Sequence, residues 1–350
     1  MNFKSSKEEK ASKEEKAFIK ACKAGNLEAV KKYIDDGINI NVRVQQHKDD
    51  DFKECALIAA MHHNHMPVIS LLLGQPGINV NVHGFMNDSP LIRACRLREH
   101  TLETIKTLID KGADLNYVSE YEGEKSTFLP NLITFLSKQH LGYVLKMINE
   151  HEWSEISGRH GIRSAIHRYD SEAAQLIPAM VEKGFPLDIV DEKGWTLLHE
   201  AASKGRTLVA SLLLEKGLDI EAQDHQGNTP LSVATETHYE DEQGWYDHTA
   251  AIGLLLDKGA VVNCVNKDGR TLLMHVVGRG PKVLKLLIDH GADLEVIDPK
   301  DQSTAFLQTA IHYDIQSAKL LADAGANIQA KDRFGNNVAD KILDLVEVII

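Results

Sequence analysis

Asp224-His-Gln-Gly227-Asn-Thr229-Pro230-Leu231 decides the fold, because its parts recur along the chain at a fixed interval. The same Asp-x-x-Gly-x-Thr turn stands 33 residues earlier as Asp191-Glu-Lys-Gly194-Trp-Thr196. It returns as Lys267-Asp268-Gly269-Arg-Thr271, 42 residues later, with Glu236 to His248 holding the surplus. Thr304 follows Thr271 by 33, with Gln302 in the glycine's place, and Gly335 follows Gln302 by another 33. A constant period of this length is the mark of stacked supersecondary units.

A second series runs in step with the first. An apolar helix precedes Gly-Ala-Asp or a variant in Leu212-Leu-Leu-Glu-Lys-Gly217-Leu-Asp, Leu254-Leu-Leu-Asp-Lys-Gly259-Ala, Leu286-Leu-Ile-Asp-His-Gly291-Ala-Asp and Leu320-Leu-Ala-Asp-Ala-Gly325-Ala-Asn. Leu108 to Asp114, Tyr33 to Gly37 and Val181 to Gly184 extend it towards the N-terminus. The residue types have physical reasons. Thr229 is a good N-cap and Pro230 is tolerated at the first helical position. Ala201-Ala202 lets two helices approach, and Gly205 and Gly217 end helices in the left-handed conformation. Each unit is helix, turn, helix and hairpin-like loop, and no unit buries its apolar face without a neighbour.

Trp195-Thr-Leu-Leu-His199-Glu-Ala-Ala and Gln223 to Leu231 resemble the ankyrin repeat. The resemblance covers residues 17 to 345 and implies an all-α, ankyrin-type helical-repeat solenoid of nine to ten units. It divides the chain into a charged segment 1–16, repeats with stretched loops over 17–117, degenerate repeats over 118–189, and regular repeats over 190–350. The last part carries an acidic insertion at 236–248 and ends in an apolar capping helix, Leu345 to Ile350.

The pattern breaks at 118–165. Gly112 and Gly184 are 72 residues apart, which is two periods and six residues more. One worn unit with a longer loop near Tyr117 to Lys125 fits there, and the next places Pro178 within its second helix, a substitution that costs on the order of 3 kcal/mol. Gln45 to Phe52 is a further insertion.

Bulk composition excludes several classes. The formal net charge is −12, which repels phosphate backbones, so nucleic acid is not the expected partner. Cys22, Cys55, Cys95 and Cys264 form no Cys-x-x-Cys pair and suit a reducing compartment. Residues 1–16 lack the apolar core of a signal peptide, and no apolar run approaches a bilayer span. Cys22 and Cys95 fall on small core positions, while Cys55 and Cys264 fall at a helix start and in a loop, where a reactive thiol is the alternative.

His62, His63 and His65 invite a metal reading. In the repeat frame, however, Asn64 takes the turn-glycine position, and His62 and His63 are solvent positions. The ankyrin resemblance implies that His65 bonds loop backbone and that His199 bonds Thr196 of its own unit. No metal, cofactor or catalytic residue is expected.

The resemblance implies a protein–protein interaction module that binds on a concave face of loop tips and first helices. Carried onto this chain, the contacts are Glu192, Lys193 and Trp195, His225 and Asn228, Lys267 and Arg270, Lys300 and Ser303, Arg333 and Phe334. Trp245 and Tyr246 are the anchors of the acidic insertion. The expected role is an adaptor or inhibitor, monomeric and cytoplasmic or delivered to a host cytosol, with a partner more basic than acidic. The alternatives are an enzyme or metal site hidden in 118–165, and a structural spacer.

Overall fold

The computed structural model describes residues 3–45, 53–84, 87–97, 101–236, 240–241, 244–245 and 248–340, with backbone alone for 3–12, 45, 53, 240–241 and 244–245. Helices pair along the chain. The first pairs are α1 (Phe3–Lys23) with α2 (Leu27–Asp35), α3 (Ala56–His62) with α4 (Met66–Gly74), and α5 (Pro90–Ala94) with α6 (Thr101–Asp110). Next come α7 (Phe128–Phe135) with α8 (Leu141–Glu150), α9 (Glu155–Ile166) with α10 (Asp170–Glu182), and α11 (Leu197–Ser203) with α12 (Thr207–Glu215). The last are α13 (Pro230–Glu236) with α14 (Thr249–Asp257), α15 (Leu272–Val276) with α16 (Pro281–Asp289), and α17 (Ala305–Ile311) with α18 (Ile315–Asp323). Three two-stranded hairpins stand in the loops: β1 (Arg43–Gln45) with β2 (Lys53–Cys55), β3 (Ser119–Tyr121) with β4 (Glu124–Ser126), and β5 (Glu240–Asp241) with β6 (Gly244–Trp245). The architecture is an all-α helical-repeat solenoid. The chain divides into two compact units, Met1–Ala165 with Ala179–Phe185, and Ile166–Pro178 with Pro186–Ile350.

First helices begin on side-chain caps. Ser89, Thr196, Thr271 and Thr304 each accept from the backbone N–H three residues on. At α11 the cap is reciprocal, because His199 Nδ1 also accepts from Thr196 N at 3.2 Å. His199 Nε2 then donates to Asn228 O in the next repeat at 3.0 Å, so one buried ring ties two repeats together. Ala59, Ala60, Ala201 and Ala202 are fully buried, as close helix packing requires.

The turn between paired helices needs a left-handed residue, and that residue is also a packing seat. A Cβ on Gly25 would lie 2.5 Å from His65 of the next repeat, whose Nε2 bonds Lys23 O at 2.9 Å. His248 repeats the arrangement over Gly205 and bonds Ser203 O at 3.0 Å. In the last complete repeat the seat is taken by Tyr313, with φ +50°, a conformation that costs a bulky L residue roughly 1–2 kcal/mol.

A ladder of side chains runs along the opposite edge. Asn41, Asn81, Asn116 and Asn263 each donate from Nδ2 to a carbonyl of the next repeat, at 2.8, 2.9, 3.0 and 3.2 Å. The same four accept from a backbone N–H two residues beyond that carbonyl, at 2.8, 2.8, 2.7 and 2.8 Å. Glu221 and Glu295 hold the equivalent place with the acceptor bond alone, each at 2.8 Å. The Asp or Asn two residues before five of these six rungs bonds the rung's own N–H, which fixes the loop (Asn39, Asn79, Asp114, Asp219, Asp293), while Asn263 has Val261 in that place.

The worn stretch of sequence folds as a repeat. The loop near Tyr117 to Lys125 is the β3–β4 hairpin, turned by Glu122 and Gly123 at φ +51° and +84°. Both central residues are left-handed, the geometry of a two-residue hairpin whose twist matches its strands. α7 packs against α5, the first helix of the preceding repeat, and α8 follows it in the chain. α10 continues through Pro178 to Glu182, although the proline has no N–H for the carbonyl four residues back. Gln46 to Phe52 and the apolar end Leu345 to Ile350 lie outside the described residues.

Candidate interaction surface

The finger turns of the second unit direct their first residue inward. Asp191 Oδ1 accepts from the N–H of Lys193 and Trp195, both at 2.8 Å. Asp224 does the same for Gln226 and Asn228 at 2.8 Å, Asn266 for Asp268 and Arg270 at 3.0 and 3.1 Å, and Asp332 for Phe334 and Asn336 at 2.9 and 3.0 Å. Burial opposes the charge of Asp224. The N–H groups of Asn228 and Gln226 and the Trp195 indole outweigh it and hold the carboxyl below the usual carboxylate range. The turn acids are thus spent on the backbone, and the next residues face solvent.

The predicted contacts separate accordingly. Glu192, Lys193, His225, Lys267, Lys300 and Arg333 are exposed. Trp195 is not a free tip. Its Nε1 donates to Asp224 Oδ2 at 3.0 Å, its ring stacks on His199, and the Lys193 ammonium stands 5.4 Å from the ring centre. Asn228 and Ser303 are buried, and Asn228 Nδ2 turns to Asp224 Oδ2 at 3.3 Å. Arg270 is half-buried, with Nε 2.9 Å from Asp298 Oδ2 and Nη2 donating to Gln308 at 3.3 Å. Lys267 Nζ donates to His225 O. Phe334 is the exposed aromatic: 70% of its surface is open, with the Arg333 guanidinium 4.7 Å from the ring centre. The side chains of Trp245 and Tyr246 lie outside the described residues.

The first helices carry a second row. Counting each capping residue as one, the fifth and eighth positions fall one turn apart on the same helix face. In the second unit those positions hold Glu200 and Ser203, Val233 and Glu236, His275 and Gly278, Gln308 and Ile311. Burial raises the Glu236 carboxyl, and burial with Arg270 and Arg279 lowers His275 to about 4. Neutral His275 accepts from Asn266 Nδ2 at 3.2 Å and sits 3.8 Å from Glu236 Oε1. Arg279 Nη1 donates to the carbonyls of Thr235 and Glu236 at 2.9 and 3.2 Å.

In the first unit the same positions hold Lys20 and Lys23, Ala59 and His62, Arg93 and Arg96, Asn131 and Thr134. Two guanidiniums converge on one buried carboxylate: Arg93 Nη2 and Arg96 Nη1 lie 3.0 and 3.4 Å from Asp88 Oδ2. Arg96 Nη2 donates to Asn131 Oδ1 at 3.1 Å, and its guanidinium stands 5.8 Å from the centre of Phe135, an exposed ring. Arg93 Nη2 is close to Asp88 but off the hydrogen-bond direction, and its shielded Nε has no acceptor among the described residues.

The remaining sequence candidates resolve individually. His62 and His63 are exposed, with ring centres 5.9 Å apart, and Asn64 is left-handed at φ +59°. Among the described residues no three His, Cys, Asp or Glu side chains group to hold a metal. Cys22 and Cys95 are buried core. Cys55, where the sequence allows a reactive thiol, is buried too, and desolvation raises its pKa, which opposes the thiolate that reactivity needs. Cys264 is half-buried beside Ser232 Oγ at 3.6 Å. Among the described residues no helix is long and apolar enough to cross a membrane. The ladder residues and the basic face were not foreseen. The ladder had a signal in the recurring Gly-x-(Asp/Asn)-x-(Asn/Glu), and the face had one only after the eighth position was aligned across repeats.

Stacked helix pairs with finger turns and a shared core define a helical-repeat scaffold. The chain belongs to the ankyrin repeat family: a family model of ankyrin repeats in three copies matches residues 18–119, 164–241 and 244–332. The unmatched stretch 120–163 holds α7 and α8. A Rickettsia bellii protein named for ankyrin repeats is 32% identical over 127 residues, 36% of this chain and 35% of its own length. A similarly named fowlpox virus protein is 28% identical over 141 residues, 40% of this chain and 19% of its own. An ankyrin repeat-containing protein of Schizosaccharomyces pombe is 28% identical over 167 residues, 47% of this chain and 73% of its own. The chain spans well under two thirds of the bacterial and viral relatives. Ankyrin repeats are in general protein–protein interaction modules.

Proposed function

We propose that this chain is a non-enzymatic adaptor or inhibitor that binds a protein partner through its finger tips and first-helix faces. The observation that carries the reading is Phe334, a large aromatic left 70% exposed at a finger tip and backed by Arg333. Aromatic and arginine side chains dominate binding hot spots, and among the described residues no packing contact covers this one. Glu192, Lys193, His225 and Lys267 complete the edge, while Trp195, Asn228 and Arg270 shape it from beneath. The acidic insertion 236–248, with Trp245 and Tyr246, is the seat for a basic partner, and the protein acts as a monomer in a cytosol. The proposed role extends to that of an effector of an intracellular bacterium.

Affinity capture with wild type, Phe334→Ala and a Lys193→Ala, Lys267→Ala pair tests the tip reading. A protein captured by wild type and lost by these variants at unchanged melting temperature supports it. Identical captures from all three would overturn the tip assignment, and retention of every capture after deletion of 237–247 as well would favour a spacer.

A further inference from the structure

We propose that the first-helix face of the first unit is a seat for an acidic peptide segment, whose carboxylates meet Arg93 and Arg96 and whose apolar side chain lies on Phe135. The proposal rests on the protein-binding reading and assigns a partner chemistry to one of its first-helix faces, away from the finger tips. Lys20, Lys23, His62, Arg93 and Arg96 occupy equivalent positions on three successive first helices, and no acid stands at any such position in this unit. The near carboxylates do not cancel them. Asp88 is one charge shared by two guanidiniums, and Glu54 stands 3.7 Å from Lys23. Asp88 is only 4% exposed at its side chain and fixes the two arginines from below, while 35% of the Arg96 side chain remains open. A braced, planar guanidinium is pre-organised for a carboxylate, so little freedom is lost on binding.

Arg93 adds a second, independent sign. Its side chain is 14% exposed, yet Nη2 is off line to Asp88 and Nε has no acceptor among the described residues. Donors shielded from water without a partner are costly, and a small rotation of the guanidinium towards an arriving carboxylate would satisfy them. Phe135 makes the site more than a charge patch. It is 52% exposed beside Arg96, so an aliphatic or aromatic residue next to the acid has a surface to cover.

Nucleic acid is the competing anion. Four permanent cations on a protein of net charge −12 fall short of the six to ten phosphate contacts typical of such binding, and one exposed ring gives no stacking platform.

Random dodecapeptides displayed on phage and panned against the immobilised full chain test the proposal. Enriched peptides are expected to carry net negative charge next to an apolar residue. A synthetic copy should bind Arg96→Ala and Lys20→Glu, Lys23→Glu variants about tenfold more weakly than wild type, and lose affinity as salt rises. The lysine pair lies outside the Asp88 network, so it carries the test if Arg96→Ala fails to fold. Enrichment of neutral or basic peptides, acidic peptides indifferent to both variants, or displacement by a single-stranded oligonucleotide at equal concentration would each overturn it, leaving the protein-binding reading intact. No enrichment of any peptide by the wild type would take down that reading and this one together.

Discussion

The first helices of the two units share a repeat frame and present opposite charge at equivalent positions. In the first unit the charged side chains at the fifth and eighth positions are Lys20, Lys23, Arg93 and Arg96, beside Ala59, His62, Asn131 and Thr134. In the second they hold Glu200 and Glu236 with neutral His275 and Gln308. The use of the charge differs as well. In the second unit Arg270 is matched to Asp298, Arg279 bonds the carbonyls at the end of α13, and Trp195 is consumed by Asp224. In the first, two guanidiniums share one carboxylate. A scaffold can therefore keep one backbone rule and still offer chemically different faces. The lesson is that changes to the second unit's face should cost stability, and changes to the first unit's face should cost binding.

The largest effect should come from Trp195→Ala. It removes packing and a hydrogen bond from between two repeats, and about 3 kcal/mol should be lost in denaturant unfolding. Phe334→Ala, on an exposed tip, should stay within about 0.5 kcal/mol. Equal losses would erase the distinction between spent and free side chains.

Acid should next separate the units. His275 is held at about 4 in the folded second unit, below the ordinary histidine value of about 6.5. The unfolded chain therefore binds more protons between those values, and stability falls as pH drops through that window, by up to an order of 2–3 kcal/mol. Burial lowers His199 as well, and a proton on Nδ1 would break its acceptor bond to Thr196. Unfolding melts from pH 7.5 down to 4 should show the loss, and His275→Gln should flatten much of it. A slope unchanged by that substitution would mean that His275 does not titrate as the geometry requires.

Rung substitutions should give a smaller, graded effect. Asn81 makes two bonds to the next repeat and Glu295 makes one. Asn81→Ala should cost about 1–2 kcal/mol and Glu295→Ala about half of that, since each exposed bond contributes about 0.5–1.5 kcal/mol. Equal costs would show that the carboxylate rung is the stronger. The smallest effect belongs to Lys20→Ala. An exposed lysine on the basic face should leave the melting temperature within error, and removing like-charge repulsion could raise it slightly.

The sequence made the period, the caps and the histidine contacts legible, because each is a residue type that one backbone conformation demands. Thr196 and Asn64 stand in the roles their place in the period implies, and His199 and His65 in those the ankyrin resemblance implies. The worn stretch was harder. Phe128 to Glu150 has helical periodicity without the signature, and the structure shows two helices there, the first packed against α5. Trp195 reads in the sequence as a tip contact because its partner, Asp224, looks like a turn residue until one carboxylate oxygen is seen to be left over from the turn. The basic face was hidden for a different reason. Its members run from Lys20 to Arg96, and the net charge of −12 points the other way. Linear sums of charge do not see a face that only stacking assembles.

The rungs bear on how such a chain can change length. A repeat that carries a rung supplies one side chain upward and offers one backbone segment to the rung below, so a duplicated copy of it arrives with both halves of the joint. Whole units can be gained or lost while the remaining joints stay in register. Additions that are not whole units have no such joint, and they are displaced into the loops that β1 and β2, β3 and β4, and β5 and β6 close. Growth by duplication and variation by loop extension are thus separate routes, and the same side-chain ladder that holds the stack keeps them apart.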